Sequence, residues 1–136
     1  MITSADEFQR LRTSDDLVEQ SRAAKESASP EVWVDLVANY PEMRFWVAQN
    51  KTVPLEILEL LMDDEDARVR SMVARRRKLS PDMLEKLSFD PDDSVRLIVA
   101  HHKSVPDRVV RRLASSDPWE EVRQVAMSRL SRFPIM

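Results

Sequence analysis

A short apolar segment recurs along the chain at a fixed interval. Residues 69–74 read VRSMVA, and related segments occupy residues 43–48 (MRFWVA), 95–100 (VRLIVA) and 122–126 (VRQVA). Their last residues are 26 positions apart, at Ala48, Ala74, Ala100 and Ala126, although the fourth copy lacks one residue between its Arg and its Ala. A fixed period of this length is typical of repeat proteins, in which each unit buries its apolar face against its neighbours.

A proline precedes each apolar segment and marks the expected start of another helix. Pro30, Pro54, Pro81 and Pro106 are each followed by apolar residues at i, i+3 and i+4 spacing. Proline in the first turn of a helix loses no hydrogen bond that the helix needs. Each unit therefore reads as a helix A after proline, an acidic turn, a shorter helix B that carries the VRxxVA segment, and a link.

The amino-acid composition excludes several kinds of site. The chain has 136 residues with no glycine and no cysteine, so glycine-rich phosphate loops, disulfides and thiolate metal sites are excluded. Its two histidines, His101 and His102, are adjacent, and this spacing does not make the i, i+4 pair that holds a metal on a helix. We expect an all-α protein with no cofactor, no metal and no catalytic site.

The domain organisation follows from the repeat. We expect one domain, residues 1–136, with an N-terminal helical cap at residues 1–29 and four repeats at residues 30–134. Ser4 and Ser14 resemble helix starts within the cap. No apolar run has the length of a membrane span and the N-terminus lacks a signal-peptide core, so we expect a cytoplasmic protein without membrane contact.

An Asp–Arg pattern accompanies the repeat. Each Asp of the turn lies six residues before an Arg of helix B, in the pairs Asp64 and Arg70, Asp90 and Arg96, Asp117 and Arg123. We expect the Asp to cap helix B and the Arg to reach back to the Asp of the adjacent repeat. The alternative is that these pairs form a catalytic or ligand-binding site.

The combined pattern D-x-x-x-x-V-R-x-x-V-A-x-x-x-x-x-P-x-x-x-L-x-x-L resembles the leucine-rich repeat variant family, which belongs to the HEAT-like α-solenoids. The resemblance covers about residues 30–134. It implies a short right-handed α-solenoid of about four helical repeats, and mostly binding roles. Some members carry an N-terminal iron–sulfur cluster on cysteines, which this chain does not have.

Basic residues follow the VA dipeptide in every copy. The third position after it is Lys51, Arg77, Lys103 or, in the fourth copy, Arg129, so stacked repeats would carry a basic row along one edge. Cations at helix C-termini also complement the helix dipole, each contributing about 0.3–1 kcal/mol, which gives the row a purely structural explanation. Arg75, Arg76 and Lys78 exceed that need and are candidates for binding an anionic partner, together with His101, His102 and the row itself.

Three aromatic residues, Phe45, Trp46 and Trp119, stand in slots of the repeat that other residue types fill in other copies. Trp46 falls in a slot that Met72 and Ile98 fill in later copies, and we expect it in the core. Phe45 either packs beneath the cap helices or lies on an exposed face. Trp119 either covers the last repeat or anchors a partner, since Trp is enriched at interaction hot spots.

These features favour a non-enzymatic scaffold for protein–protein interaction, such as an adaptor or an immunity or antitoxin protein. The alternative is a nucleic-acid-binding protein that uses the basic edge around Arg75–Lys78. We expect a monomer or a weak dimer.

Overall fold

The computed structural model describes residues 1–131, and helices are its main regular elements. Within this range there is one isolated β-bridge, between Ile2 and Ala28, and no strand. The expected all-α class is confirmed. The bounds of the helices are α1 Ala5–Arg12, α2 Leu17–Lys25, α3 Pro30–Asn39, α4 Arg44–Gln49, α5 Leu55–Leu61, α6 Ala67–Ala74, α7 Pro81–Leu87, α8 Asp93–His101, α9 Asp107–Ser116 and α10 Glu120–Ser131, with a 3₁₀ helix at Pro41–Met43.

The prolines start the A helices as expected. Pro30 and Pro81 are the first residues of α3 and α7, while Pro54 and Pro106 are the N-cap residues of α5 and α9. At α7 the preceding Ser80 also caps the helix, because its side chain accepts a hydrogen bond from the Met83 N–H at 3.2 Å. The helix starts are therefore set by local sequence.

The chain divides into two compact units. The first, Met1–Val73, has a core in which Phe8, Leu11, Trp33 and Leu36 are almost completely buried. The Phe8 and Trp33 rings meet edge to face with their centroids 5.8 Å apart, a favourable geometry for aromatic pairs. In this unit α1 packs on α2 and α3, and α4 packs on α2, α3 and α5.

The second unit, Ala74–Met136, is built from α7 to α10 as far as Ser131. Helix α8 packs against α7 and α10, and α10 also packs against α9. Its core contains Leu84, Val99, Leu113 and Val122, each fully buried. The last residues of the predicted repeat range, 132–134, lie outside the described residues, and the number and handedness of stacked repeats stay predictions.

In the first three copies, the Val and Ala of the repeated VA dipeptide are buried in the core, but the residue that precedes them is not. The four alanines are fully buried, as are Val47, Val73 and Val99. Trp46, Met72 and Ile98 are only half-buried, so the expectation that this slot fills the core is wrong. On a helix, residues one position apart point about 100° from each other, so the valine faces the core while its neighbour lies at the boundary with solvent.

The N-terminal helices begin close to the expected places. Ser4 caps α1 by accepting a hydrogen bond from the Glu7 N–H at 3.0 Å. The cap of α2 is Asp16 rather than Ser14, with its carboxylate 2.8 Å from the Val18 nitrogen. Among the described helices, none combines the length and the apolar character needed to cross a membrane.

Candidate binding groove in the second unit

The repeated arginines hold the turn that precedes each B helix. In all three pairs the Nη1 group donates to the main-chain oxygen of the aspartate six residues earlier, at 2.6–2.8 Å. The three contacts join Arg70 to Asp64, Arg96 to Asp90 and Arg123 to Asp117. A charged donor on a main-chain carbonyl is a strong hydrogen bond, so the arginine fixes the turn of its own repeat.

The aspartates of these pairs shape the turn and do not cap the helix. The carboxylates of Asp64, Asp90 and Asp117 each accept from the N–H two residues later, all at 2.9 Å. The capping carboxylates belong to Asp66 and Asp92, which accept from the N–H groups of Arg68 and Ser94 in the first turns of α6 and α8. The expected cap was therefore placed two residues too early.

Two arginines also connect one repeat to the next. Arg44 lies 3.3 Å from the Asp64 carboxylate, and Arg96 Nε donates to the Asp117 carboxylate at 2.8 Å. Each Arg reaches forward along the chain, whereas we expected it to reach back. The Arg96 and Asp117 side chains are only 8% and 2% exposed, and the hydrogen bond to Asp117 raises the pKa of the Arg96 guanidinium. These carboxylates are therefore engaged within the fold.

The adjacent histidines have different positions. His102 is 7% exposed, its Nε2 lies 2.7 Å from the Arg76 carbonyl oxygen, and its Nδ1 accepts from the Ser104 N–H at 3.0 Å. With Nδ1 accepting, Nε2 must carry the proton and donate to Arg76. His102 thus joins the turn after α6 to the turn after α8 through its two ring nitrogens. His101, in contrast, is exposed.

Two hollows in the second unit meet at His101. The first has a volume of about 400 Å³ and is lined by Ala74, Arg75, Arg77, Ile98, His101, His102 and Lys103. The second has a volume of about 300 Å³ and is lined by His101, Gln124, Val125, Ser128 and Arg129. Because both include His101, we treat them as one surface and call it the His101 groove.

The lining of the His101 groove combines positive charge with an apolar floor. Arg75, Arg77 and Lys103 line the first hollow and Arg129 lines the second, and within the described part of the chain no Asp or Glu lines either one. Ile98, half-buried on α8, supplies apolar surface in the first hollow. Such a surface attracts an anionic group and also offers a seat for an apolar side chain.

The two units also differ in charge. Residues 74–136 contain 13 Lys and Arg against nine Asp and Glu, whereas residues 1–73 contain eight against 15. The overall net charge of −3 therefore conceals a second unit with net charge +4. The cationic groove lies in the positively charged part of the sequence.

The remaining predicted contact residues lie in varied surroundings. Lys51 and Lys78 are exposed and line neither hollow, and Arg76 is half-buried, with burial lowering the pKa of its guanidinium. Trp119 is half-buried at the start of α10. Phe45 is half-buried and meets Trp46 edge to face, with centroids 4.8 Å apart.

Trp46 is also covered by a cation in the first unit. The Arg12 guanidinium carbon lies 3.5 Å from the centroid of the Trp46 ring, a close cation–π contact. This contact explains how a large aromatic residue is accommodated in a half-buried slot. Phe45 and Trp46 thus belong to a cluster with α1 and not to the groove.

Sequence reasoning missed Ile98, Gln124 and Val125 as lining residues. Ile98 was assigned to the core, although Trp46, Met72 and Ile98 share one slot of the repeat and all are half-buried. The signal that could have found it is the one-residue offset from the buried valine. Within the described residues no group of three His, Asp or Glu side chains is placed to hold a metal ion.

Comparison with protein families gives one match, in the middle of the chain. Residues 67–92 match the family model of the leucine rich repeat variant. The match starts at the first residue of α6, includes α7 and ends at the cap of α8, so it covers one 26-residue period. The family resemblance is confirmed for that period, about a fifth of the chain. Searches of curated proteins and of solved structures give no significant match.

Proposed function

We propose that the protein is a non-enzymatic helical-repeat scaffold that binds a protein partner through the His101 groove. The observation that carries this proposal is the composition of the groove, whose lining among the described residues contains cationic and apolar side chains and no acidic one. Leucine rich repeat variant segments are helical repeat modules, which is compatible with a scaffold. An adaptor, or an immunity or antitoxin protein, would be a scaffold of this kind. We propose that it acts in the cytoplasm.

A binding role fits the state of the acidic side chains better than a catalytic one. A general base must be able to reach the proton that it removes. The carboxylates of Asp64 and Asp117 each accept hydrogen bonds from a main-chain N–H and from an arginine. They stabilise the turns that carry the B helices and are not available to a substrate.

The experiment is a comparison of captured partners between wild type and a groove variant. Wild-type protein and the variant Arg75→Glu/Arg77→Glu serve as baits in native extract, with and without nuclease. A matched control, Lys25→Glu/Arg111→Glu, changes the charge equally at exposed positions that line neither hollow. We expect a protein that is retained after nuclease by wild type and by the control, and lost from the groove variant. Equal retention by all three baits would contradict the proposal.

Binding of nucleic acid is the second candidate function. Arg75, Arg77 and Lys78 are exposed cations in the positively charged half of the sequence, and each could contact a phosphate. Among residues 1–131, however, no Phe, Tyr or Trp lines the groove, and single-stranded binders use such residues as stacking platforms. This candidate predicts salt-dependent binding to DNA or RNA that Arg75→Ala/Arg76→Ala/Arg77→Ala removes.

A further inference from the structure

We infer that the occupant of the His101 groove is an acidic peptide segment in which carboxylates flank one apolar side chain. This inference rests on the proposed function and deepens it, because it names the chemistry of the segment that the partner presents. The carboxylates would pair with the cations of the two hollows. The apolar side chain would lie on Ile98.

The distribution of charge sets the pattern of carboxylates. Arg75, Arg77 and Lys103 lie in the first hollow, and Arg129 lies in the second, beyond His101. A ligand with one compact anionic group would occupy only one end. A segment with acidic residues on both sides of its centre meets both ends at once, and charge complementarity also speeds its encounter with the groove.

The apolar floor distinguishes a peptide from a plain polyanion. Ile98 is half-buried in the lining of the first hollow, and Val125 is half-buried in the lining of the second. An aliphatic or aromatic side chain that covers this apolar surface removes it from water, which gives a favourable binding free energy. A phosphate gives no such contribution. The partner therefore needs an apolar residue between its acids.

Helix spacing gives the approximate register of such a segment. Helices α8 and α10 pack against each other, and packed helices lie about 8–10 Å apart. An extended chain advances about 3.3 Å per residue, so this distance corresponds to about three residues. On the side of the segment that meets Arg129, we therefore expect an acidic residue about three positions from the apolar one.

The test uses synthetic peptides and fluorescence anisotropy. The probe is a fluorescein-labelled peptide with a central Leu, a pair of Glu residues on each side at this spacing and Ser elsewhere. The comparison probes are the same peptide with Ser in place of Leu, the same peptide with Lys in place of Glu, and a single-stranded DNA of similar length. We expect saturable binding of the Leu peptide, weaker binding of the Ser peptide, and no binding of the Lys peptide.

Two groove variants locate the contacts. Arg75→Glu/Arg77→Glu reverses two charges, and we expect it to weaken binding about tenfold or more, since two rim pairs together amount to about that factor. Ile98→Ala should abolish the preference for the Leu peptide over the Ser peptide. The controls Lys25→Glu/Arg111→Glu and Leu97→Ala should bind like wild type, Leu97 being half-buried on α8 but absent from the lining. Circular dichroism confirms that each variant is folded.

Several results would overturn the inference. Equal affinity for the Leu and Ser peptides would show that no apolar side chain is recognised. If the DNA binds more tightly than the Leu peptide and Arg75→Glu/Arg77→Glu weakens that binding equally, the cations bind phosphate. A partner captured through the groove that competes with none of the acidic peptides would refute the peptide chemistry while leaving the proposed function intact. A captured partner that is insensitive to Arg75→Glu/Arg77→Glu would refute both.

Discussion

Asn50 and His102 join their repeats to the chain that precedes them in the same way, although one is an amide and the other an imidazole. Asn50 donates from Nδ2 to the carbonyl oxygens of Ala23 and Glu26, and its Oδ1 accepts from the Thr52 N–H at 2.8 Å. His102 donates from Nε2 to Arg76 and accepts at Nδ1 from the N–H two residues later. The two residues stand 52 positions apart, which is two periods of the repeat. In these two copies the slot holds a donor and an acceptor on one short side chain, whereas the second copy has Arg76 there.

Substitution of His102 tests whether the slot requires this donor and acceptor. His102→Asn should leave the free energy of unfolding nearly unchanged, because the amide can make both contacts as Asn50 does. His102→Ala removes the partner of the Arg76 carbonyl and of the Ser104 N–H, both of them part-buried contacts, and we expect a loss of about 1–3 kcal/mol. Urea denaturation followed by circular dichroism measures both. If the Asn and Ala variants lose equal stability, the shared role of this slot is wrong.

The sequence predicted only part of what these residues do. Two adjacent histidines at the end of a helix are equivalent in a one-dimensional pattern, and both were assigned to a binding surface. Which ring turns inward depends on where α8 ends, because His102 is the residue that leaves the helix. The repeat nevertheless contained a clue, since Asn50 stands in the corresponding position of the first copy.

At the scale of helices, the network of arginines and aspartates is what connects successive units. Arg96 contacts the Asp90 carbonyl of its own turn and the Asp117 carboxylate of the next turn, and it also contacts Asp93. The Arg96 guanidinium thereby connects the first turn of α8 to the turn that precedes α8 and to the turn that precedes α10. Another pair in the same unit, Arg108 and Glu85, joins α9 to α7 with a nitrogen–oxygen distance of 3.0 Å but is 58% and 40% exposed.

These two pairs predict different costs of removal. Asp117→Ala leaves the buried Arg96 charge without its main partner and should lower the free energy of unfolding by about 3–5 kcal/mol. Glu85→Ala removes a solvent-screened pair and should cost less than about 1 kcal/mol. Chemical denaturation of the two variants beside wild type gives both values. Similar losses in the two variants would show that burial does not set the strength of this network.

Helix starts were predictable because the signals are local. A proline fixes its own backbone angle, so the position of Pro30 or Pro81 suffices to place the helix that follows. The capping residues of the B helices were not predictable in the same way. Asp64 and Asp66 are two residues apart in the same turn and have the same side chain, and only the fold decides that Asp66 caps α6 while Asp64 shapes the turn.

At the scale of the whole chain, charge is distributed unevenly between the two units. Of the four residues in the predicted basic row, Arg77, Lys103 and Arg129 line the groove and Lys51 does not. The place of the half-buried Ile98 in the lining of the first hollow was not predictable, because it depends on which side of α8 is covered in the fold. A solvent-facing slot and a core slot look alike in sequence when both hold an apolar residue.

Other exposed apolar residues offer an alternative contact surface. Leu17 and Val18 on α2 are 77% and 71% exposed, and Phe89 is 64% exposed beneath the Arg112 guanidinium. Asp15 and Asp16 precede Leu17 and Val18, and Glu19 follows them, so acidic residues flank this apolar pair in the sequence. An acidic partner should therefore avoid α2 and choose the His101 groove.

The position of the contact surface is the central claim, and a nuclear magnetic resonance titration tests it most directly. Isotope-labelled protein is titrated with the acidic Leu peptide, and the amide shifts are followed residue by residue. We expect the largest changes at Arg75, Arg77, Ile98, His101 and Lys103, with none at Leu17 or Val18. Changes centred on α2, or spread evenly over the exposed cations of the second unit, would contradict the assignment of the groove.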